Sequence, residues 1–202
     1  MKKVILLNGS PHKDGNTSIA LAEVAAQLEK NGVATELFWI GNGAVRGCIA
    51  CGGCAKKGAC VFDDAVNQVA AAMQSADALV VGSPVYYAGP NGSLCAFLDR
   101  LFYSAGRSFD GKLGAAVAVC RRGGASATFD RLNKYFTISN MPVVPSQYWN
   151  SVHGRTPGEA AQDAEGLQTM RALANNMAWM LNALDGKPHP EREARQSTNF
   201  IR

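Results

Sequence analysis

At 202 residues with a net charge of +4, the chain is long enough to bury one sizeable core, and nothing in its composition marks a break into two. Hydrophobic residues at 47% and charged ones at 18% are ordinary for a globular enzyme. The Lys and Arg residues are scattered rather than striped, which argues against a nucleic-acid surface.

The opening run Val4, Ile5, Leu6 and Leu7 is too short for a signal-peptide core or a membrane span. The expectation is a cytoplasmic protein, where a reducing environment turns its six cysteines towards metal binding or redox chemistry rather than structural disulfides. The same run, continuous and partly β-branched, predicts a central parallel strand buried on both faces. Ile19, Leu21, Ala22, Val24, Ala25 and Leu28 then recur at helical spacing, closed by Asn31-Gly32. A second strand is expected over 34–40, a cysteine-rich loop over 47–60 and a helix over 64–74. Next come a strand over 78–81 ending in Gly82-Ser83-Pro84, a helix over 94–103, a strand over 113–119 and a helix over 128–136. A short last strand over 141–145 and a long covering helix over 160–184 complete one domain over 1–186, with the polar stretch 187–202 as an extended arm.

Such alternation predicts a parallel sheet with helices on both faces, and ligands in sheets of this kind bind at the carboxyl ends of the strands. Three polar loops fall there. In the first, Ser10, Asn16, Thr17 and Ser18 offer donors at a helix start, with His12 or Lys13 adding positive charge, an arrangement suited to a phosphate monoester. It is neither a Walker A loop nor a GxGxxG turn, which disfavours ATP and a Rossmann-held dinucleotide. In the second, Pro84, Val85, Tyr86 and Tyr87 can line one side of a planar ring. In the third, Cys120, Arg121, Arg122, Gly123 and Gly124 set cationic donors beside glycines that let backbone approach a ligand.

Cys48, Cys51, Cys54 and Cys60 form C-x2-C-x2-C-x5-C, interleaved with glycines. Thiolates at these intervals suit the irons of a [4Fe–4S] cluster, with zinc and metal-free thiols as the alternatives.

The stretches GSPHKDGNTS, CIACGGCAKKGAC, SPVYYAGPNGSLCAFLDR and CRRGG together resemble the NADPH-dependent FMN reductase family, and within it the iron–sulfur flavoproteins and their bacterial relatives, over nearly the whole chain. The resemblance implies a flavodoxin-like three-layer α/β/α sandwich with a five-stranded parallel sheet and a non-covalent FMN. It places the phosphate on Ser10, His12, Asn16, Thr17 and Ser18. The isoalloxazine would lie against Pro84, Val85, Tyr86 and Tyr87, with further contacts from Asn91 and from Cys120, Arg121, Arg122, Gly123 and Gly124. His12 stands where relatives commonly carry Arg. The implied activity passes electrons from NAD(P)H through FMN to a quinone, flavin or other small-molecule acceptor or a redox protein, with no protein nucleophile or general base. The alternative is an FMN/[4Fe–4S] electron-transfer protein with no small-molecule substrate of its own. A homo-oligomer, dimer or tetramer, is also implied, in which the loop 147–155, with Tyr148, Trp149 and His153, covers a neighbouring subunit's flavin.

Overall fold

Apolar residues on the first strand, β1 (Lys3–Asn8), alternate between two destinations. Val4 and Leu6 join one buried cluster with Leu21, Val24 and Met177, while Ile5 and Leu7 join another with Val69, Leu98 and Phe136. Period-two alternation with both sets apolar is the signature of a strand sandwiched between helix layers. The computed structural model describes residues 1–191, 193, 194, 196–198 and 200 and shows that sandwich.

β1 pairs in parallel with β2 (Ala34–Trp39) on one side and β3 (Ala78–Tyr86) on the other. A short β4 (Gly89–Pro90) folds back antiparallel on the end of β3, and β5 (Leu113–Cys120) and β6 (Ser151–His153) continue the parallel set. The sheet order is β2-β1-β3-β5-β6, so the direction of strand addition reverses between β1 and β3, and the carboxyl ends of those two strands flank the crevice where such folds bind ligands. Helices α1 (Asn16–Lys30) and α6 (Ala164–Ala183) cover one face. The short α2 (Gly53–Lys57) lies in the cysteine loop, and α3 (Ala65–Ala72), α4 (Gly92–Ala105) and α5 (Ala125–Ile138) cover the other face. Every residue of β5 is buried. Its small side chains let the helices approach closely: a Cβ on Gly114 would fall 2.6 Å from the Phe136 ring.

The expected five parallel strands are present, but the fifth is not where periodicity put it. Residues 141–145 make only a single bridge, Val143 opposite Gly114, with Gly114 N donating to Pro142 O and Val144 N to Gly114 O, both at 2.9 Å. Pro142 and Pro145 have no N–H to extend a ladder, so the chain leaves the sheet and returns as β6. Asn150 spans the break: it is 1% exposed, its Nδ2 donates to Ala116 O at 3.0 Å, and its carbonyl accepts from Ala118 N at 2.9 Å. The expected helix over 160–184 is also divided, into a 3₁₀ turn Glu159–Gln162 and α6, separated by Asp163. Of the expected arm, residues 192, 195, 199, 201 and 202 lie outside the described set, and the described ones carry no helix or strand.

Candidate functional site

The loop after β1 is held from within. Gly9 N donates to Gly82 O at 2.8 Å, the Asn8 side chain accepts from Ser10 N at 3.0 Å and donates to Lys13 O at 3.1 Å, and His12 N donates to Ser10 Oγ at 3.1 Å. Trp39, at the end of β2, donates its indole N–H to Ser10 O at 2.7 Å. α1 begins without a side-chain cap at Gly15 and without an acidic residue in its first turn. Its opening N–H groups, those of Asn16, Thr17 and Ser18, have no acceptor among the described residues. An uncapped helix start with free amides and the positive end of the dipole is a fitting receptor for a phosphate, and Ser10 and Thr17 stand buried beside it with hydroxyls. His12 and Lys13 are exposed at the rim.

Asn16 is turned elsewhere. Its Nδ2 donates to Thr156 O at 3.0 Å and its Oδ1 accepts from Ala160 N at 3.1 Å, so only its backbone N–H is left without a partner among the described residues. These bonds tie the segment 154–160 against the head of α1, closely enough that a Cβ on Gly154 would meet Asn16 Nδ2 at 2.9 Å. Glu159 accepts from the backbone N–H groups of Arg155 and Thr156. Asp163 accepts from His153 N at 2.6 Å and Gly166 N at 2.9 Å. Burial works against the Asp163 charge, yet these N–H donors and the His153 ring outweigh it and hold the carboxyl below its ordinary value of 3.8. This strap escaped sequence reasoning; the Asp163-Ala164-Glu165-Gly166 stretch before an apolar helix was its one signal.

Asn91 is likewise inward-facing. Its Nδ2 donates to Gly9 O at 2.7 Å, its Oδ1 caps α4 by accepting from Ser93 N at 3.1 Å, and its own N–H donates to Ser83 Oγ at 3.0 Å. Pro84, Val85 and Tyr86 belong to β3 rather than to a loop, and they run into a tight hairpin with β4 whose two turn residues, Tyr87 and Ala88, have φ of 50° and 56°. Both non-glycine residues thus sit in the left-handed region, which a primed hairpin turn demands at roughly 1–2 kcal/mol each. Tyr87 is fully exposed and Tyr86 partly so. Gly124, at φ 92°, packs under the turn: a Cβ there would stand 2.8 Å from Ala88 Cα and 2.9 Å from Val85 Cγ1. The second and third loops therefore touch. Arg121, Arg122 and Gly123 are exposed around the rim, whereas Cys120 is buried and its Sγ donates to Arg122 O at 3.1 Å. Burial, with the Asp163 charge added, pushes its thiol above the ordinary 9.0, so it is a neutral tie within the turn. Tyr148 and Trp149 are exposed, their rings 5.0 Å apart.

All four loop cysteines line one small cavity with Ile49, Val61, Phe62, Arg100 and Tyr103. Ala50 and Gly52, at φ 52° and 65°, turn the backbone around it. Cys48 and Cys51 are exposed and Cys60 is buried. Among the described residues no three His, Cys, Asp or Glu side chains are gathered to hold a single metal ion, so the thiols surround the cavity rather than meet at a point. Four soft sulfur donors around one hollow are the donor set an iron–sulfur cluster takes. Arg100, missed from sequence, reaches this cavity from α4 with its side chain 1% exposed and pairs with Asp64 at 2.7 Å. Burial opposes the Asp64 charge, but Arg100 and the Val66 N–H hold the carboxyl below its ordinary 3.8. A lone cation in the buried stripe Leu94, Phe97, Leu98 and Leu101 was the available clue.

Residues 2–156 match the family model described as NADPH-dependent FMN reductase. An iron–sulfur flavoprotein of Methanocaldococcus jannaschii is 33% identical over 190 residues, spanning 90% of this chain and 98% of its own length. One of Methanosarcina thermophila is 29% identical over 186 residues, spanning 90% and 96%. Among solved structures, RosB with a bound 8-demethyl-8-formylriboflavin-5'-phosphate intermediate is similar at a TM-score of 0.75 with 13% identity, over 100% of this chain and 93% of its own. An apo NADH:FMN oxidoreductase reaches 0.66 with 17% identity, over 93% and 92%.

Proposed function

The chain belongs to the NADPH-dependent FMN reductase family, and from that membership we propose that it holds one FMN at the carboxyl ends of β1, β3 and β5 and passes electrons from a reduced nicotinamide to a quinone, a flavin or another acceptor. The observation that carries this reading is the uncapped head of α1, whose N–H groups of Asn16, Thr17 and Ser18 are left to receive a phosphate. The hydroxyls of Ser10, Thr17 and Ser18 add donors, and His12 adds a rim cation when protonated. Pro84, Val85, Tyr86 and Tyr87 wall one side of the ring site, Gly123 leaves open space for close backbone approach while Gly124 seats the Tyr87-Ala88 turn, and Arg121 and Arg122 place fixed positive charge beside it. Asn16 and Asn91 act as positioning residues, through the strap and through Gly9. FMN supplies the hydride and electron chemistry.

A second reading is an FMN/[4Fe–4S] electron-transfer protein with no small-molecule substrate of its own. The four-thiol cavity favours it, as does α4: Asn91 at its head holds the phosphate loop and Arg100 lines the cysteine cavity, about 14 Å apart along a helix rising roughly 1.5 Å per residue. Electron exchange with a redox protein is the partner expected under that reading. No helix among the described residues is long and apolar enough to cross a membrane. A cytoplasmic location and a homo-oligomer, dimer or tetramer, with Tyr148, Trp149 and His153 turned to a neighbour, complete the proposal.

Anaerobic purification tests both readings. Stoichiometric FMN by absorbance and mass spectrometry, with NADH or NADPH oxidation when a quinone or free FMN is added, is the expected result for the reductase. Flavin with iron and sulfide, but without nicotinamide turnover, selects the electron-transfer reading. A colourless chain that takes up no added FMN overturns both.

A further inference from the structure

Arg100 is the largest fully buried side chain among the described residues, and it stands on α4 where the neighbouring inward positions are Phe97, Leu98 and Leu101. A desolvated guanidinium is costly unless every donor is used. Here each nitrogen is engaged. Nε donates to Cys60 Sγ at 3.2 Å. Nη1 donates to Asp64 Oδ2 at 2.7 Å and Arg46 O at 3.4 Å, and Nη2 to Asp64 Oδ1 at 2.9 Å and Phe62 O at 3.3 Å. The plane lies over the Phe62 ring, 5.1 Å from its centroid. Apolar residues of like volume in place of the whole Arg100–Asp64 pair would fill the site with little loss of stability, so packing alone does not explain an arginine with its carboxylate.

The atom this arrangement singles out is the Cys60 sulfur. Cys60 differs from the other three thiols: it is buried, and Asn67 grips its backbone on both sides, accepting from Cys60 N and donating to Cys60 O, each at 3.0 Å. Asp64, which fixes the guanidinium, also caps α3 by accepting from Val66 N at 3.1 Å. The clamp thus joins α3, α4 and both flanks of the cysteine loop around one sulfur.

We infer that Arg100 is a positioning residue for the four-cysteine centre, anchoring Cys60 as its buried corner and supplying that sulfur with an N–H···S hydrogen bond. This rests on the second reading above, in which Cys48, Cys51, Cys54 and Cys60 hold a cluster. Donors to ligand sulfurs draw off electron density and make a cluster easier to reduce. Arginine is needed because lysine lacks both the planar fork for Asp64 and an Nε–H set at a fixed angle to the sulfur.

The test compares wild type with Arg100→Met and Arg100→Lys, as full chains reconstituted anaerobically with ferrous iron and sulfide. Arg100→Met is expected to keep its FMN, to shift the midpoint potential of the iron–sulfur signal to more negative values, and to lose iron to a chelator several-fold faster. Arg100→Lys is expected to follow methionine, not wild type. Unchanged potential and iron loss in Arg100→Met overturn the inference. Should Arg100→Met fail to fold, Asp64→Asn, which keeps the α3 cap and releases the fork, takes the same measurements with the same expected direction. A wild-type chain that takes up no iron and sulfide sinks the cluster reading and the N–H···S role with it. Anchoring of Cys60 then has its own readout in the metal-free chain: amide exchange over residues 60–64 roughly tenfold faster in Arg100→Met supports it, and unchanged exchange overturns it.

Discussion

Asn91 serves two neighbours with one side chain: the amide nitrogen holds Gly9 O and the amide oxygen caps α4. Removing both in Asn91→Ala strands a buried carbonyl and a helix start, which together are expected to cost about 2–4 kcal/mol. Under the proposed function FMN affinity should fall with it, because Gly9 O tethers the loop after β1; urea denaturation and flavin retention on gel filtration measure the two effects. Asn16→Ala separates them. Its side chain is half-buried and bonds only to the strap, so its cost to global stability is expected to be about 1 kcal/mol, yet it frees the strap at residues 154–160. Faster amide exchange there together with weaker FMN binding is the expected result, and unchanged exchange counts against the strap. Asn16 was expected as a site residue from its place in the first polar loop, and Asn91 from the family resemblance. What their amides bond to was not legible, since residue type at a helix start does not say whether a side chain faces a ligand or the chain's own backbone.

At the level of elements, the central strands β1, β3 and β5 were readable because continuous apolar runs have one stable use, a strand covered on both faces. The fifth strand was misread for an equally physical reason. Residues 141–145 are apolar enough to be buried, but Pro142 and Pro145 cannot complete a ladder, and the real pairing lies in a polar stretch, Ser151–His153, which Asn150 introduces. Periodicity records burial; it does not record which N–H groups are free to pair. The β3–β4 hairpin makes the same point through its turn. Nothing in Tyr87-Ala88 resembles the Asn-Gly pair that such a turn favours, and the end of β3 was read as a loop. The strain this implies is measurable: Ala88→Gly is expected to stabilise the protein by about 0.5–1 kcal/mol, because glycine adopts the left-handed region without the Cβ penalty. A raised thermal midpoint checks this. Reversal to destabilisation would mean that Ala88 Cβ, next to Gly124, contributes packing that outweighs the strain.

Across the whole molecule, two carboxylates with part-buried hydrogen bonds each tie a loop to the fold. Asp163 gathers the N–H groups of His153 and Gly166 at the strap, and Asp64 takes the Arg100 fork at the cysteine loop. Both are held below their ordinary value of 3.8. A carboxyl whose folded value is depressed gives stability that is complete above the unfolded value and is lost as pH falls through the folded one. The two sites therefore predict a flat stability from about pH 7 to about pH 5, then a decline below about pH 4 as the unfolded chain binds protons more readily than the folded one. Asp163 is the more enclosed of the two and Asp64 is partly solvent-screened, so the larger share of the decline belongs to the strap. Denaturant midpoints taken between about pH 3 and 7 test this. Asp163→Asn should lower the plateau and flatten the acid limb, while Asp64→Asn, with the strap intact, should keep most of that limb. A wild-type curve level down to about pH 3 would show that neither carboxylate is coupled to the fold, and that the strap and the cysteine loop are held by packing instead of charge.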